Sequence, residues 1–158
     1  MGDGFSWRVE EEGGVTRFAL SGSITEKSDF APLLERSSGR VEIDLSGIDR
    51  INSAGVLGWL AFMTSLASRK GEVVLERCSV PIVHQLNMIS KMRGGARVRS
   101  ILLPYLCASC GAEEQSVLDL EGEAPSGVAQ EMACPECGGT MEFDDLPETY
   151  FGFQEKNT

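Results

Sequence analysis

The chain of 158 residues contains a single histidine, His84, and this scarcity argues against the commonest catalytic arrangements. Hydrolases that use a Ser/His/Asp or Cys/His combination need a histidine beside the nucleophile. His84 lies opposite the apolar line of an amphipathic segment, which predicts a solvated surface residue. The sequence also lacks a G-x-x-x-x-G-K phosphate loop. We therefore expect a protein that is not an enzyme.

Long hydrophobic runs are absent as well. The longest apolar stretch, 56–67, is interrupted by polar residues and is shorter than the roughly 20 residues that span a bilayer. The N-terminus has no basic segment followed by an apolar run, so it does not have the pattern of a signal peptide. We expect a cytoplasmic protein without direct membrane insertion, in a compartment that keeps thiols reduced.

Basic residues are nearly missing from the C-terminal part of the chain. Residues 1–99 carry 12 acidic and 13 basic side chains, whereas residues 100–158 carry 12 acidic side chains and one basic side chain, Lys156. A surface that binds nucleic acid needs lysines and arginines to displace the counterions of the phosphates. The charge pattern therefore predicts no nucleic-acid partner.

Cysteine forms the clearest motif. Two C-x-x-C pairs, in C-A-S-C-G and C-P-E-C-G-G, supply Cys107, Cys110, Cys134 and Cys137. Two thiolates three positions apart bind one ion from a tight turn, and two such turns complete a tetrahedral four-sulfur site. The spacing predicts a zinc ribbon with one structural Zn2+ per chain, because a closed site leaves no position for catalysis. Iron, as in the similar knuckles of rubredoxins, and two disulfides are the alternatives.

Alternation and turn signals predict an α/β fold in the first hundred residues. Two strands around Gly13-Gly14 form a hairpin, Ser28 caps a short helix that ends at Gly39, and further strands alternate with helices. This order implies a mixed sheet with helices packed on it. The predicted strands are 5–11, 15–21, 41–45, 72–78 and 97–103, and the two longer helices are 53–69 and 80–92.

One stretch carries a family resemblance. Residues 41–60, V-E-I-D-L-S-G-I-D-R-I-N-S-A-G-V-L-G-W-L, resemble the signature of the STAS domain, in which a buried strand ends in D-L-S-x-V and a D-S-S-G-like turn opens the next helix. The resemblance covers roughly residues 5–103 and includes the order of elements. It implies a bacterial anti-sigma-factor antagonist, which acts by protein–protein interaction.

In that family, the serine that corresponds to Ser53 is phosphorylated by a partner kinase. Here Asn52 replaces the acidic residue before it and Ala54 replaces a second serine, which brings N-S-A-G near the D-T-A-G form of STAS subunits in lipid-transporting ABC complexes. The implied partner is a serine kinase that doubles as an anti-sigma factor, and an ABC-transporter ATPase is the alternative. As an N-cap, Ser53 would have a purely structural role, although Asn52 could cap equally well.

The predicted partner-contact residues are Asn52, Ser53, Leu57 and Phe62. On a helical wheel Leu57 and Phe62 lie on opposite flanks of the apolar line, where an exposed contact surface competes with simple core packing. A homodimer is a further partner that the sequence allows.

The region after the second cysteine pair is rich in aromatic residues. Asp145 can cap a short helix there, and Tyr150, Phe151 and Phe153 then need burial. This tail either attaches the ribbon to the first domain or offers a peptide to a partner. The predicted domains are a STAS-like domain over 1–103, a zinc ribbon over 104–143 and a tail over 144–158.

These features favour a non-enzymatic bacterial signalling module that works by protein recognition. The second interpretation is a STAS regulatory subunit on an ABC-transporter ATPase. An iron-binding redox protein is the third.

We predict that the isolated protein binds duplex and single-stranded nucleic acid weakly at physiological salt, because residues 100–158 carry a net charge of −11. Fluorescence anisotropy with labelled oligonucleotides should give dissociation constants no tighter than about 10−4 M, the weak end of non-specific binding. A tight complex that survives physiological salt would contradict this prediction.

Overall fold

The computed structural model describes residues 4–69, 71–89, 91–121 and 130–155. The strands are β1 (Ser6–Glu12), β2 (Val15–Ile24), β3 (Arg40–Ile51), β4 (Val73–Glu76), β5 (Arg97–Val98), β6 (Ser100–Cys107), β7 (Glu113–Asp119), β8 (Glu131–Ala133) and β9 (Thr140–Phe143). The helices are α1 (Ala31–Arg36), α2 (Ser53–Ala67), α3 (Val80–Met88), α4 (Pro147–Tyr150) and α5 (Gly152–Glu155). They form a mixed α/β structure with a first sheet in the order β1-β2-β3-β4-β5 and a second in the order β7-β6-β9-β8.

The first sheet combines the predicted hairpin with parallel strands. Gly13 and Gly14 have φ values of 59° and 80°, the left-handed conformation that a two-residue hairpin turn needs at both central positions. Strands β2 to β5 run parallel to one another, and α1, α2 and α3 make the crossovers between them. The predicted mixed sheet with packed helices is confirmed.

One face of this sheet is apolar and lies against the helices. Along β3, Ile43 and Leu45 are fully buried on that face. Trp59 of α2 is also fully buried, and its Nε1–H donates a hydrogen bond of 2.7 Å to the carbonyl of Met92. The buried indole therefore has a partner for its polar atom, as a core tryptophan requires.

Phe62 belongs to this core and not to the surface. Its side chain is only 2% exposed, and its ring stacks on Phe30 with the ring centroids 4.8 Å apart. The expected exposed flank is therefore wrong for Phe62, because Phe30, just before α1, covers it. Leu57, on the opposite flank, is 70% exposed.

The other face of the first sheet carries charged side chains around a buried carboxylate. Glu42 of β3 is 4% exposed and accepts hydrogen bonds from three guanidinium groups. Arg17 Nε lies 2.8 Å from Oε1, Arg40 Nε lies 2.9 Å from Oε2, and Arg99 reaches both oxygens at 3.3 Å. Burial alone would raise the pKa of Glu42, but the hydrogen bond from Arg17 and the charge of Arg99 outweigh it and lower that pKa.

The chain changes sheet at Arg99. The strand predicted over 97–103 is two strands, since β5 ends at Val98 and β6 begins at Ser100 in the second sheet. The Arg99 N–H donates to the Leu75 carbonyl at 2.8 Å, and the Arg99 carbonyl accepts from the Leu120 N–H at 2.8 Å. Arg99 thus bonds to both sheets, and Cys78, just after β4, also pairs with Ile101 of β6. The boundary predicted between 103 and 104 falls inside β6.

The aromatic tail docks on the rest of the chain. Tyr150 and Phe153 are 1% and 2% exposed, whereas Phe151 is only half-buried. The Tyr150 hydroxyl donates to the Leu102 carbonyl at 2.5 Å. The side-chain amide of Asn87 in α3 donates to the Tyr150 carbonyl at 3.1 Å and accepts from the Phe153 N–H at 2.7 Å. The tail is therefore attached within the chain, which agrees with the first of the two predicted alternatives and not with a peptide offered to a partner.

Two predicted helix caps are wrong. The Ser28 hydroxyl accepts from the Thr25 N–H at 2.9 Å inside a loop, and α1 begins only at Ala31. Asp145 accepts from the adjacent Leu146 N–H, and its other oxygen lies 2.7 Å from Nε2 of the half-exposed His84. Both side chains bond to other groups instead of the helix N–H groups, and a capping pattern in the sequence does not reveal these competing partners.

We predict that Glu42→Gln lowers the free energy of unfolding by about 1–3 kcal/mol at neutral pH, because it removes hydrogen bonds to a charged acceptor. A carboxylate with a lowered pKa stabilises the fold above its ordinary pKa of 4.5 and stops doing so as the pH falls through the folded-state value.

Urea unfolding between pH 3 and pH 7 should therefore show a stability loss on acidification that is smaller in Glu42→Gln than in the unchanged chain. The exposed Glu35→Gln is the control and should match the unchanged chain. An identical pH dependence in all three would contradict the role given to Glu42.

Candidate functional site

The two cysteine pairs form matching turns. In the first turn, the Cys107 N–H donates to the Ala112 carbonyl at 2.9 Å and the Gly111 N–H donates to the Cys107 carbonyl at 2.9 Å. In the second turn, the equivalent bonds join Cys134 and Gly139 at 2.8 Å and Gly138 and Cys134 at 2.9 Å. The two C-x-x-C segments thus have the same backbone geometry.

Glycine at the end of each pair is required by the backbone. Gly111 and Gly138 have φ values of 78° and 76°, a conformation that side chains rarely adopt. The turn aims backbone N–H groups at sulfur, since the Glu136 N–H lies 3.4 Å from Cys134 Sγ and the Gly139 N–H 3.4 Å from Cys137 Sγ. The predicted role of these glycines is confirmed.

The four sulfurs converge on one point. Their Sγ atoms lie within 4.8 Å of one another, with Cys107 and Cys137 3.6 Å apart and Cys110 and Cys134 3.7 Å apart. A tetrahedral ion with metal–sulfur bonds of about 2.3 Å separates its sulfurs by about 3.8 Å. The cluster therefore has the size that one metal ion requires, and the four thiols are free and not joined in the two disulfides considered above.

The thiols influence one another's ionisation. The Cys110 N–H lowers the pKa of Cys107 to about 6, against the effect of desolvation. The Ala112 N–H lowers the pKa of Cys110, but desolvation and the hydrogen bonds with Cys137 and Cys107 outweigh it and raise that pKa to about 12. Cysteines bind metals as thiolates, so a cation is what would let all four ionise together.

The arrangement suits a structural metal centre. Cys107 ends β6, Cys134 follows β8 and Cys137 precedes β9, so one ion would connect the β6–β7 pair to the β8–β9 pair. Four sulfur ligands fill a tetrahedral coordination sphere and leave no place for a substrate. A metal ion at this site can therefore hold the second sheet together. The ligand set itself gives no indication of a catalysed reaction.

The start of α2 is capped by Asn52 and not by Ser53. Asn52 Oδ1 accepts from the Gly55 N–H at 2.7 Å, and Asn52 Nδ2 donates to Glu26 Oε1 at 3.2 Å. The capping role that the sequence allowed for Ser53 is therefore wrong. Glu26 orients the Asn52 amide by accepting this hydrogen bond. The sequence around Glu26 gave no indication of this role.

The turn at 52–55 is held tightly against the end of β2. The Asn52 N–H donates to the Ile24 carbonyl at 3.1 Å. A Cβ atom on Gly55 would lie 2.2 Å from the same carbonyl oxygen, a separation that real atoms do not allow. Glycine at this position is thus a packing requirement, and it lets α2 begin directly beside β2.

Ser53 and Leu57 are presented to solvent at this end of the helix. Ser53 is exposed, and none of the described residues hydrogen-bonds to its hydroxyl. Leu57, one turn further, is among the most exposed large apolar residues described. The structure brings Asn52, Ser53 and Leu57 to one surface and excludes Phe62 from it.

The fifth cysteine stands apart from the cluster. Cys78 is fully buried, and its burial raises the pKa of its thiol well above the ordinary range. It is a core residue, as the sequence indicated.

No protein-family model matches this chain, and no curated protein matches its sequence. Among the described residues, no helix has both the length and the apolar character needed to cross a membrane.

We predict that Cys134→Ser abolishes tight metal binding and lowers the melting temperature, because it removes one of four thiolate ligands. Structural ions of this type contribute about 10–16 kcal/mol to folding in small peptides. Cys78→Ala, which removes the cysteine outside the cluster, is the control and should keep one metal per chain. Elemental analysis and calorimetry measure both quantities, and equal metal content in the two variants would contradict the assignment.

Proposed function

We propose that the ion of the four-cysteine centre is zinc and that its role is structural. The four-sulfur ligand set and the tetrahedral spacing support this, although the same ligands also bind iron. Iron would make the protein a candidate electron carrier and would colour it. A colourless preparation with one zinc per chain is the expected result, and a red protein with iron would favour the redox alternative.

We propose further that the chain is a non-enzymatic bacterial regulatory module of the STAS type, active in the cytoplasm. The resemblance of residues 41–60 to the STAS signature supports this, and so does the order of strands and helices in the first sheet. The surface that we expect to contact the partner is the recognition turn, which we define as Asn52, Ser53 and Leu57. Asn52 and Leu57 frame the serine on that surface.

One observation carries the proposal: the helix cap leaves Ser53 without a structural task. Because Asn52 satisfies the Gly55 N–H, the exposed Ser53 hydroxyl is open to a kinase. A phosphate there would lie at the positive end of the α2 dipole, so the fold would tolerate its negative charge. The added charge of about −1.5 to −2 would instead alter the surface that a partner meets.

Two partner classes follow from this proposal, and one experiment separates them. The full-length chain would be used as bait for affinity purification from its native host, followed by mass spectrometry. A serine kinase that phosphorylates Ser53 in a purified assay supports the antagonist function. An ATPase together with a permease supports the regulatory subunit of an ABC transporter. The absence of both partner classes from the purified material would contradict the proposal.

We predict that Ser53→Asp weakens binding of the purified partner by about tenfold or more, which corresponds to about 1.4 kcal/mol. Ser53→Ala should preserve binding, because it removes only a hydroxyl. Isothermal titration calorimetry with the partner measures both.

Stability separates the roles of the two neighbouring residues. Ser53→Ala should change the free energy of unfolding by less than about 0.5 kcal/mol. Asn52→Ala should lower it by about 0.5–2 kcal/mol, because it removes the cap. Unchanged partner affinity in both Ser53 variants would mean that the turn is only part of the scaffold.

A further inference from the structure

The second sheet has an exposed face with an unusual composition. Side chains alternate between the two faces of a strand, and the strand register places Glu113, Leu106, Glu142 and Glu131 in one row across β7, β6, β9 and β8. With strands about 4.8 Å apart, this row spans about 14 Å. We call these four residues, together with Val117 of β7, the ribbon outer face.

Apolar side chains are exposed within this face. Leu106 is 37% exposed and Val117 is 51% exposed. The opposite face is buried on the two central strands, where Tyr105 and Met141 are 3% and 0% exposed, but Met132 on the edge strand β8 is 37% exposed. The outer face is itself partly covered, since Leu102, opposite Val117, is 5% exposed, while Leu106 and Val117 remain in contact with solvent.

The charges of the ribbon outer face are all negative. Glu131 and Glu142 lie directly opposite each other on β8 and β9, where like charges destabilise a sheet. No lysine or arginine occurs between Arg99 and Lys156. In the described part of the chain, none of the three glutamates in the row takes part in an ion pair.

The open face of the first sheet shows that this chain can neutralise such groups. There Glu42 binds three arginines, and Glu72 pairs with Arg40 at 3.1 Å and with Arg97 at 3.1 Å. The first sheet pairs these glutamates with arginines, whereas the second sheet, among the described residues, leaves its row of glutamates unpaired. A general shortage of arginine in the chain therefore does not explain the negative row. A cationic partner would supply the charges that this face lacks.

A shallow groove adjoins the row. It has a volume of about 390 Å³ and is lined in part by Pro104, Gln115 and Asp144. Gln115 of β7 and Asp144, just after β9, flank Pro104, so the groove continues the same pattern of an apolar centre between polar or acidic sides. An extended segment can therefore contact the face along more than one row.

We propose that the ribbon outer face binds a lysine- and arginine-rich segment of a partner protein that carries apolar side chains between its basic ones. The basic side chains of the partner would neutralise the opposed carboxylates of Glu131 and Glu142. Its apolar side chains would cover Leu106 and Val117. Nucleic acid and anionic membranes carry the wrong charge for this surface. The inference does not depend on the recognition turn, which lies at the start of α2 and not on the second sheet.

The probe for a test is a short fluorescent peptide that alternates arginine with valine, added to the metal-loaded full-length chain at physiological salt. Fluorescence anisotropy should show saturable binding that weakens as salt is raised. The triple variant Glu113→Gln, Glu131→Gln, Glu142→Gln should bind about tenfold or more weakly. The matched control Glu10→Gln, Glu12→Gln, Glu35→Gln, with the same change in net charge elsewhere, should stay within about twofold of the unchanged chain.

A third variant tests whether binding depends on apolar contacts of the ribbon outer face as well as on charge attraction. Val117→Ser keeps every charge and should weaken binding several-fold, because it removes an apolar contact. Equal losses in the two triple variants, an unchanged affinity in Val117→Ser, or no binding at physiological salt would each overturn the proposal. Melting curves of all variants show whether the fold is retained, and the comparison between triple variants is made only on folded protein.

Discussion

Burial of one hydrophobic core by both sheets is the interaction on which the other features depend. The core runs from the inner face of the first sheet through α2 and α3 to the inner face of the second sheet, where Tyr105 meets Phe143 and Phe143 meets Tyr150 of the tail. The aromatic tail therefore completes the core and is not an appendage. Because the core is continuous, the metal centre and the start of α2 belong to one packed structure.

The sequence predicted the features that rest on local chemistry. The hairpin follows from Gly13-Gly14, and the convergence of the cysteines follows from two identical turns, so neither needs knowledge of distant residues. Other features are decided by a distant partner, although the wrong caps at Ser28 and Asp145 involve local bonds as well. Glu26 orients Asn52 from 26 residues away, and Phe30 covers Phe62 from a separate element. The division of one predicted strand at Arg99 likewise reflects pairing with two different sheets.

The two surfaces that we propose for recognition differ in their chemistry. The recognition turn consists of small uncharged side chains and one exposed leucine, so it has little charge of its own and would respond strongly to a phosphate. The ribbon outer face is permanently negative and would respond to salt. A protein with both could therefore hold one partner constitutively through the ribbon while its contact with another is regulated.

The edges of the first sheet bear on how this protein avoids aggregation. An exposed edge strand is a template for pairing with another chain, and proteins protect such edges with charges or by making them very short. β1 carries Arg8 and the run Glu10–Glu12 along its length, while β5 at the opposite edge is only two residues long. Neither edge offers a long uncharged strand to a neighbour. Both ends of the sheet thus oppose its growth into an ordered aggregate.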